Sequence, residues 1–279
     1  IDAAKVEGLN NGANRVFSTL PKMSNQLFYS FVSLFEHGEA VIYIPEFPFQ
    51  SEIEHMNILY ALSTWEMNER FGISSPKWHL TIINANDRFA SQCDVLDKYI
   101  RDRLASHSKV SVHFNTKLKS INNKDSTLTL EGQDGQTRNM EFRRLYCHVP
   151  TKTDSMLVGS GLLDAADMKV KVNPATLAHE KFENVFVYGE NIDVKVQPSL
   201  EASLTQASVA RHNALEYIEG RSAKADYNGR TFIPIFHGVH NAALYSSDWR
   251  KGPSIKEGLL DGWFNYKWAV GSYAKKVRK

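Results

Sequence analysis

Few residues of this chain stand where their types and spacing could do chemistry. Ser51 has a histidine, His55, four residues on, one turn along a helical stretch. That spacing gives a local hydrogen bond. A serine nucleophile also needs a base held by an orienting group and an oxyanion hole, and the sequence offers no sign of the set. His237 and His240 sit at i, i+3 in His237-Gly238-Val239-His240, but no acid or cysteine lies near to complete a metal site. Satisfied structural histidines fit that pattern better. Cys93 and Cys147 form no Cys-x-x-Cys pair and lie in apolar surroundings, which reads as two buried thiols in a reducing compartment.

Dinucleotide chemistry needs glycines in the first turn after a strand, so that backbone can approach the pyrophosphate at a helix N-terminus. The strand at Gly38–Pro45 instead runs into Glu46-Phe47-Pro48-Phe49-Gln50-Ser51, with no glycine, and Glu46 would repel phosphate. That unit is therefore expected not to bind a nicotinamide dinucleotide. Gly159-Ser160-Gly161 is the nearest approach elsewhere, read as a loop after Met156-Leu157-Val158. Asp164 stands where the third glycine would fall, so it is a poor phosphate loop.

The elements that must position these residues have a clear order. A short apolar strand at Gly38–Pro45 precedes a helical stretch, Glu52–Arg70, whose Met56, Leu59, Tyr60, Leu62, Trp65 and Met67 form a broad apolar face and which Gly72 stops. A strand at Leu80–Asn84, a helix at Val95–Ala105 and a strand at Val110–Phe114 complete β-α-β-α-β, the signature of a parallel sheet covered by helices. The pattern then changes to alternation at Lys117–Ile121, Thr127–Leu130 and Met140–Cys147, which predicts an antiparallel meander. A strand at Asn184–Tyr188 runs into Gly189-Glu190-Asn191, and a helix capped by Ser199 runs to Gly220. The fold class is thus α/β.

With 42% hydrophobic and 23% charged residues over 279 positions, the chain is ordinary for a globular protein. A net charge of +2 gives no nucleic-acid footprint. From Asp248 onward, however, eight Lys/Arg face three Asp/Glu, so the C-terminal stretch is basic. There Leu259, Leu260, Trp263, Phe264, Val270 and Tyr273 fall on a helix-like stripe flanked by Lys267, Trp268, Lys275, Lys276 and Arg278, although Gly258, Gly262 and Gly271 weaken the helix. Aromatics and lysines around an apolar stripe suit a helix in a membrane interface, and equally a face docked on protein. No run of about 18 apolar residues is present to span a bilayer. The chain opens on Ile1 with no targeting peptide before it, so either a presequence was removed or the numbering starts partway through a longer protein.

Four stretches together resemble the mitochondrial type of sulfide:quinone oxidoreductase, in the two-dinucleotide-domain flavoprotein superfamily. Ala4-Lys5-Val6-Glu7-Gly8-Leu9 is similar to the segment after that family's first flavin half, and Gly38–Phe47 to its strand and loop. Asn184-Val185-Phe186-Val187-Tyr188-Gly189-Glu190 resembles the second flavin fingerprint. Tyr227-Asn228-Gly229-Arg230-Thr231-Phe232-Ile233-Pro234 resembles the family's Tyr-Asp-Gly-Tyr-Thr-x-Cys-Pro motif.

The resemblance implies a chemistry and its loss. In the family two cysteines bracket FAD, take up sulfide sulfur and pass electrons to the flavin, which reduces ubiquinone beside membrane-resting C-terminal helices. Those cysteine positions match Ser51 and Ile233, and neither Cys93 nor Cys147 falls on them. A serine at its ordinary high pKa forms no persulfide and an isoleucine forms nothing. The flavin-gripping Gly-Asp becomes Gly189-Glu190, and the Lys-Thr pair falls on Pro198-Ser199, leaving Gly189, Glu190 and Ser199 as a weak FAD remnant. The family's first flavin half precedes the matched region, so this chain alone is expected to hold no cofactor, and FAD only if an N-terminal half is supplied.

The implied division is a linker at 1–30, a Rossmann-like nicotinamide-type unit with a β-meander at 31–150, a remnant of the second half of an FAD-binding domain at 151–222, and an amphipathic membrane- or partner-docking region at 223–279. The implied role is a non-catalytic accessory subunit of a mitochondrial inner-membrane complex, on the matrix side, with other subunits as partners. The alternative is a quinone-reducing flavoenzyme completed by a separate N-terminal part.

Overall fold

The computed structural model describes residues 2–9, 15–19, 31–32, 37–49, 52–72, 77–152, 154–237 and 242–258. They fall into two compact units, one of Ile1–Ser91, Asp97–Thr151 and His237–Val239, the other of Gln92–Leu96, Lys152–Phe236 and His240–Lys279.

The first unit is built on five parallel strands in the order β1-β8-β2-β3-β4: β1 (Val16–Ser18), β2 (Gly38–Ile44), β3 (Trp78–Asn84), β4 (Val110–His113) and β8 (Arg144–Cys147). Ala40–Ile44 and Leu80–Asn84 are buried without interruption, as strands covered on both faces must be. Helices α1 (Ile58–Arg70), entered through a 3-10 turn at Glu52–Asn57, and α2 (Asp94–Ala105) alternate with these strands. Helix α1 buries Ile58, Leu59, Ala61, Leu62 and Trp65, and the Trp65 ring packs on Phe31 (centroids 5.7 Å apart) while its Nε1 donates to the Val32 carbonyl at 2.9 Å. Gly72, at φ +67°, ends it as expected, in the left-handed conformation that glycine adopts without strain.

On the other face lies an antiparallel meander of β5 (Lys117–Asn122), β6 (Thr127–Glu131) and β7 (Thr137–Glu141). Its Leu118, Ile121, Leu128 and Leu130 form one core with Val41, Tyr43, Ile83, Leu145 and Cys147 of the parallel strands. The stretch read as a single strand, Met140–Cys147, is in fact two. Phe142 plugs into the meander core and its N–H donates to the Ser126 carbonyl at 2.9 Å. The next amide, Arg143, already donates to Glu39 of β2 at 2.8 Å, so β8 inserts between β1 and β2 as a parallel strand. The first thirty residues, expected as a linker, contribute β1 and bury Val6 and Leu9 in the meander core.

The second unit holds a short helix α3 (Ser155–Gly159), the long helix α4 (Leu200–Ile218) and an antiparallel sheet of β9 (Thr231–Phe236), β10 (Ala242–Ser247) and β11 (Ser254–Glu257) in the order β11-β10-β9. Pro234 is tolerated because β9 is an edge strand. The strand expected at Asn184–Tyr188 reduces to one bridge, Ala178 with Phe186, held by His179 N–H to Val185 at 2.8 Å and Val187 N–H to Leu177 at 3.0 Å. With only that arm beside it, no ladder extends. Gly159-Ser160-Gly161 ends helix α3, whose Met156-Leu157-Val158 are helical, so it is not a strand-to-helix phosphate loop.

Asn213 organises this unit. Fully buried on α4, its Nδ2 donates to the carbonyls of Thr176 (3.0 Å) and Ala225 (2.8 Å), and its Oδ1 accepts from the N–H groups of Lys224 (3.1 Å) and Ala225 (3.0 Å). At the end of the same helix Glu216 accepts from Arg221 (2.5 Å) and pairs with Lys224 (3.1 Å). The Arg221 hydrogen bond, then that of Lys224, hold its carboxyl at about 2, below the usual carboxylate range.

Two expectations follow. Gly8 sits at φ +83°, and a Cβ there falls inside contact of the Ile121 carbonyl oxygen, whereas one at Gly135, φ +74°, meets nothing. Gly8→Ala should therefore lower unfolding stability in urea by about 2–4 kcal/mol and Gly135→Ala by only about 1 kcal/mol. A Glu216 carboxyl with a depressed folded value stabilises the fold above the ordinary carboxylate range, and that contribution disappears as pH falls toward about 2. Glu216→Gln should lower the melting temperature at pH 7 and flatten its fall between pH 5 and pH 2, read by circular dichroism.

Candidate functional site

The second thiol position inferred from sequence, Ile233, lies at the middle of β9 and is fully buried, with Tyr245 of β10 as its cross-strand partner. Burial raises the Tyr245 phenol well above its ordinary value, and the Cys93 thiol hydrogen-bonded to it adds to the shift. Both cysteines are buried and unbridged. Burial alone drives the Cys147 thiol far up, which favours the neutral thiol over the thiolate. Sequence reasoning placed two buried thiols correctly but missed the contact of Cys93 with the strand pair that carries Ile233. No sequence signal joins residues so far apart in the chain. The first thiol position, Ser51, lies outside the described residues, as do the His240 of the histidine pair and the docking residues Leu259, Leu260, Trp263, Phe264, Trp268, Lys275 and Lys276.

The three residues expected to touch a flavin gather around the first turns of α4. Ser199 caps that helix, accepting from the Ala202 N–H at 3.0 Å, and its hydroxyl meets Thr231 Oγ1 of β9 at 2.7 Å. Thr231 in turn donates to the Gln197 carbonyl at 3.2 Å, so Ser199 is the donor of the pair. Gly189, at φ +95°, gives its N–H to Gln206 Oε1 of α4 at 2.9 Å. Gln206 also bonds the Tyr227 hydroxyl, which donates to the Arg230 carbonyl at 2.8 Å. Burial pushes that phenol up to about 12, against the pull of the Gln206 bond. Glu190 is half-buried beside this network. A cofactor-binding turn presents its backbone N–H groups and hydroxyls to the ligand. Here Gly189 and Ser199 present theirs to the protein, so these two donors are not left free for a flavin.

The turn after β2 is closed in the same manner. The Phe47 N–H donates to Asn86 Oδ1 at 3.0 Å, and Asn86 Nδ2 donates to the Pro45 carbonyl at 2.8 Å. Glu46 pairs with Lys117 at 2.7 Å. Phe47 stacks on Phe49 with ring planes 9° apart. The Phe47 N–H, a donor that a pyrophosphate could have met, already has a partner, in keeping with the missing glycines.

Among the described residues no three His, Cys, Asp or Glu groups are placed to hold a metal, and no helix is long and apolar enough to cross a membrane. His237, half of the suspected ligand pair, packs its ring edge-on against Tyr99 (centroids 6.4 Å apart). A cleft of about 380 Å³ is lined by Glu66, Glu69, Arg70, Trp78, His107, Ser108 and Lys109, with His107 hydrogen-bonded to Glu66 at 2.7 Å and Lys109 paired with Glu69.

The parallel sheet with its meander, followed by a long capped helix and a second antiparallel sheet, defines the class: an α/β fold of the Rossmann type found in FAD-dependent oxidoreductases. A solved sulfide:quinone oxidoreductase from Aquifex aeolicus superposes with a TM-score of 0.71 at 15% identity, covering 95% of this chain and 64% of that one, which shows the fold. Within that class the chain is related to the mitochondrial sulfide:quinone oxidoreductases. That of Schizosaccharomyces pombe is 23% identical over 158 residues, 56% of this chain and 34% of the relative. That of Mus musculus is 20% identical over 260 residues, 91% of this chain and 56% of the relative. The chain thus spans between a third and somewhat over half the length of these curated relatives. A chain in a structure of the Tetrahymena thermophila mitochondrial ATP synthase tetramer superposes with a TM-score of 0.82 at 26% identity, covering 97% of this chain and 68% of that chain. No protein-family model matches.

Ser199 has two duties, capping α4 and bonding β9. Ser199→Ala should cost about 1–3 kcal/mol in chemical unfolding, and Ser199→Asp, which keeps the cap but removes the donor to Thr231, should recover only part of it.

Proposed function

We propose that this chain is a structural subunit of a mitochondrial membrane assembly of the ATP synthase kind, built on a sulfide:quinone oxidoreductase fold without the enzyme's chemistry. The observation that carries it is the comparison of folds. The likeness to the chain in the Tetrahymena ATP synthase is greater in identity and in superposition than that to the bacterial enzyme. The site supports the same reading. Ile233, aligned with the family's second cysteine, is a buried aliphatic residue. Gly189 and Ser199 direct their donors into the protein. Ser51 at the other cysteine position lacks a thiol.

In this reading residues 31–150 are the nicotinamide-type unit kept as scaffold, 151–222 the remnant of the flavin domain, and 223–279 the region that docks on membrane or partner. Leu259, Leu260, Trp263, Phe264 and Trp268 supply the apolar stripe, and Lys275 and Lys276 the basic flank. The mitochondrial relatives support placement in that organelle, and in this reading the chain sits at the inner membrane on its matrix side. The partners are the other subunits of the assembly.

The test is sedimentation and native electrophoresis of detergent-solubilised mitochondria. The chain should co-migrate with ATP hydrolysis activity, with no flavin absorption band in proportion to it and no sulfide-dependent quinone reduction. A chain that migrates apart from ATP synthase and carries stoichiometric flavin would sink the structural reading in favour of a quinone-reducing flavoenzyme. Sulfide oxidation that persists in Ser51→Ala protein would show that the family's thiol positions were wrongly matched.

A further inference from the structure

The Gly189 N–H is taken by Gln206 and the Phe47 N–H by Asn86. The Gly229 N–H differs. In the Asn228-Gly229 turn, just before β9, it has no hydrogen-bond partner among the described residues. Gly229 is buried, at φ +77°, and a Cβ there would fall inside the Trp249 indole. A buried unpaired donor is costly, so a step that removes its proton is favoured. The residue before it, Asn228, is exposed. Its Oδ1 accepts from the Arg230 N–H at 3.1 Å, which draws electrons from the carboxamide carbon. Asp134-Gly135 repeats this turn, with Asp134 Oδ1 accepting from the Gln136 N–H at 3.0 Å. There the Gly135 N–H donates to the Gly132 carbonyl at 3.0 Å, and a carboxyl has no ammonia to lose.

We propose that Asn228 is a site of spontaneous deamidation and backbone isomerisation in the folded protein. The Gly229 nitrogen loses its proton and bonds to Asn228 Cγ, the bond from Cγ to Nδ2 breaks, and Nδ2 leaves as ammonia with that proton. The product is a succinimide, whose ring nitrogen carries no hydrogen and is no longer an unpaired donor. Water then opens either ring carbonyl, giving aspartate or isoaspartate, and nothing is oxidised or reduced. Glycine at the attacking position has no side chain to hinder closure. Isoaspartate routes the main chain through the former side chain and lengthens it by a methylene where there is little slack. Tyr227 is fully buried, its N–H on the Ala175 carbonyl (2.8 Å) and its hydroxyl on the Arg230 carbonyl (2.8 Å). The Asn228 carbonyl accepts from the Trp249 N–H at 3.0 Å, and the Trp249 and Tyr227 rings meet with centroids 5.6 Å apart. The added methylene displaces these contacts and loosens the entry to β9.

The test ages the purified full chain at near-neutral pH and physiological temperature, with an unaged digest as background. Trypsin cuts after Lys224 and Arg230 and releases Ala225–Arg230. Mass spectrometry reads the exchange of NH for O in that peptide, and chromatography separates its aspartate and isoaspartate forms. A protein isoaspartate methyltransferase, with S-adenosylmethionine as methyl donor, labels the isoaspartate. Conversion should rise with pH, give isoaspartate as the major product, and run no slower in the folded chain than in the same chain unfolded in urea. Asn228→Gln, which would have to close a larger ring, should show no conversion in this peptide. On ageing, the parent should lose melting temperature relative to Asn228→Gln. Asn11-Gly12 is common to both chains and ages alike in each, so the difference belongs to position 228. No conversion, conversion confined to the unfolded chain, or aspartate without isoaspartate would overturn the proposal. Equal melting of the aged parent and the aged variant would overturn the loosening of β9.

Discussion

The carboxamide of Asn213 is the constraint on which the second unit turns. One buried side chain satisfies two carbonyls and two N–H groups from stretches 37 and 11 to 12 residues away, using its full hydrogen-bonding capacity. The stretches it ties down are irregular. Leu177 lies there at φ +63°, a conformation a side chain adopts only when its surroundings hold it. The same loop receives the Tyr227 N–H at Ala175 (2.8 Å) and sends Leu177 into a core with Val170, Val172, Ile192, Val194 and Val209. Without regular strands between Leu163 and Ser199, backbone groups must find partners outside a ladder, and a buried amide with four bonds is an efficient one. The positioning of the Gly189 turn, the Ser199 cap and β9 follows from an α4 anchored in this way.

That anchoring bears on chemistry. A ligand site keeps donors unsatisfied by the protein so that the ligand can complete them. Here the Gly189 amide, the Ser199 hydroxyl and the Phe47 amide are completed by Gln206, Thr231 and Asn86. The thiols are equally withdrawn: Cys147 is buried and driven toward its neutral form. Fold and site are separable quantities, and a scaffold persists when its polar atoms are satisfied internally.

Legibility in sequence followed the reach of the forces involved. Helix α4 with its Ser199 cap, helix α1 with its Gly72 stop and the alternation of strands with helices were readable, because caps and periodicity act over a few residues. The division of Met140–Cys147 into β7 and β8 was not, since alternation continues through Phe142 and only the availability of β2's edge decides which sheet the chain joins. Asn184–Tyr188 had the composition of a strand and lacked a ladder to join. Of the site, the residue types at Ile233, Glu190 and Ser199 were legible, while Gln206 and Thr231, which complete Gly189 and Ser199, lie 17 and 32 residues from their partners and leave no local signal.

The same long-range bonding fixes the orientation of α4. The side it buries carries Ala202, Val209 and Ala210 together with Gln206, Asn213 and Glu216. Val209 and Ala210 join the core of the unit, while Gln206 and Asn213 meet fixed backbone groups. Turning that side away would leave the carbonyls of Thr176 and Ala225 and the amides of Lys224 and Gly189 without partners, each at a cost of about 1–3 kcal/mol. The apolar residues on the same side would lose their burial as well. Polar satisfaction and hydrophobic burial therefore select one rotation of α4, and that rotation holds the Gly189 turn and β9 in place.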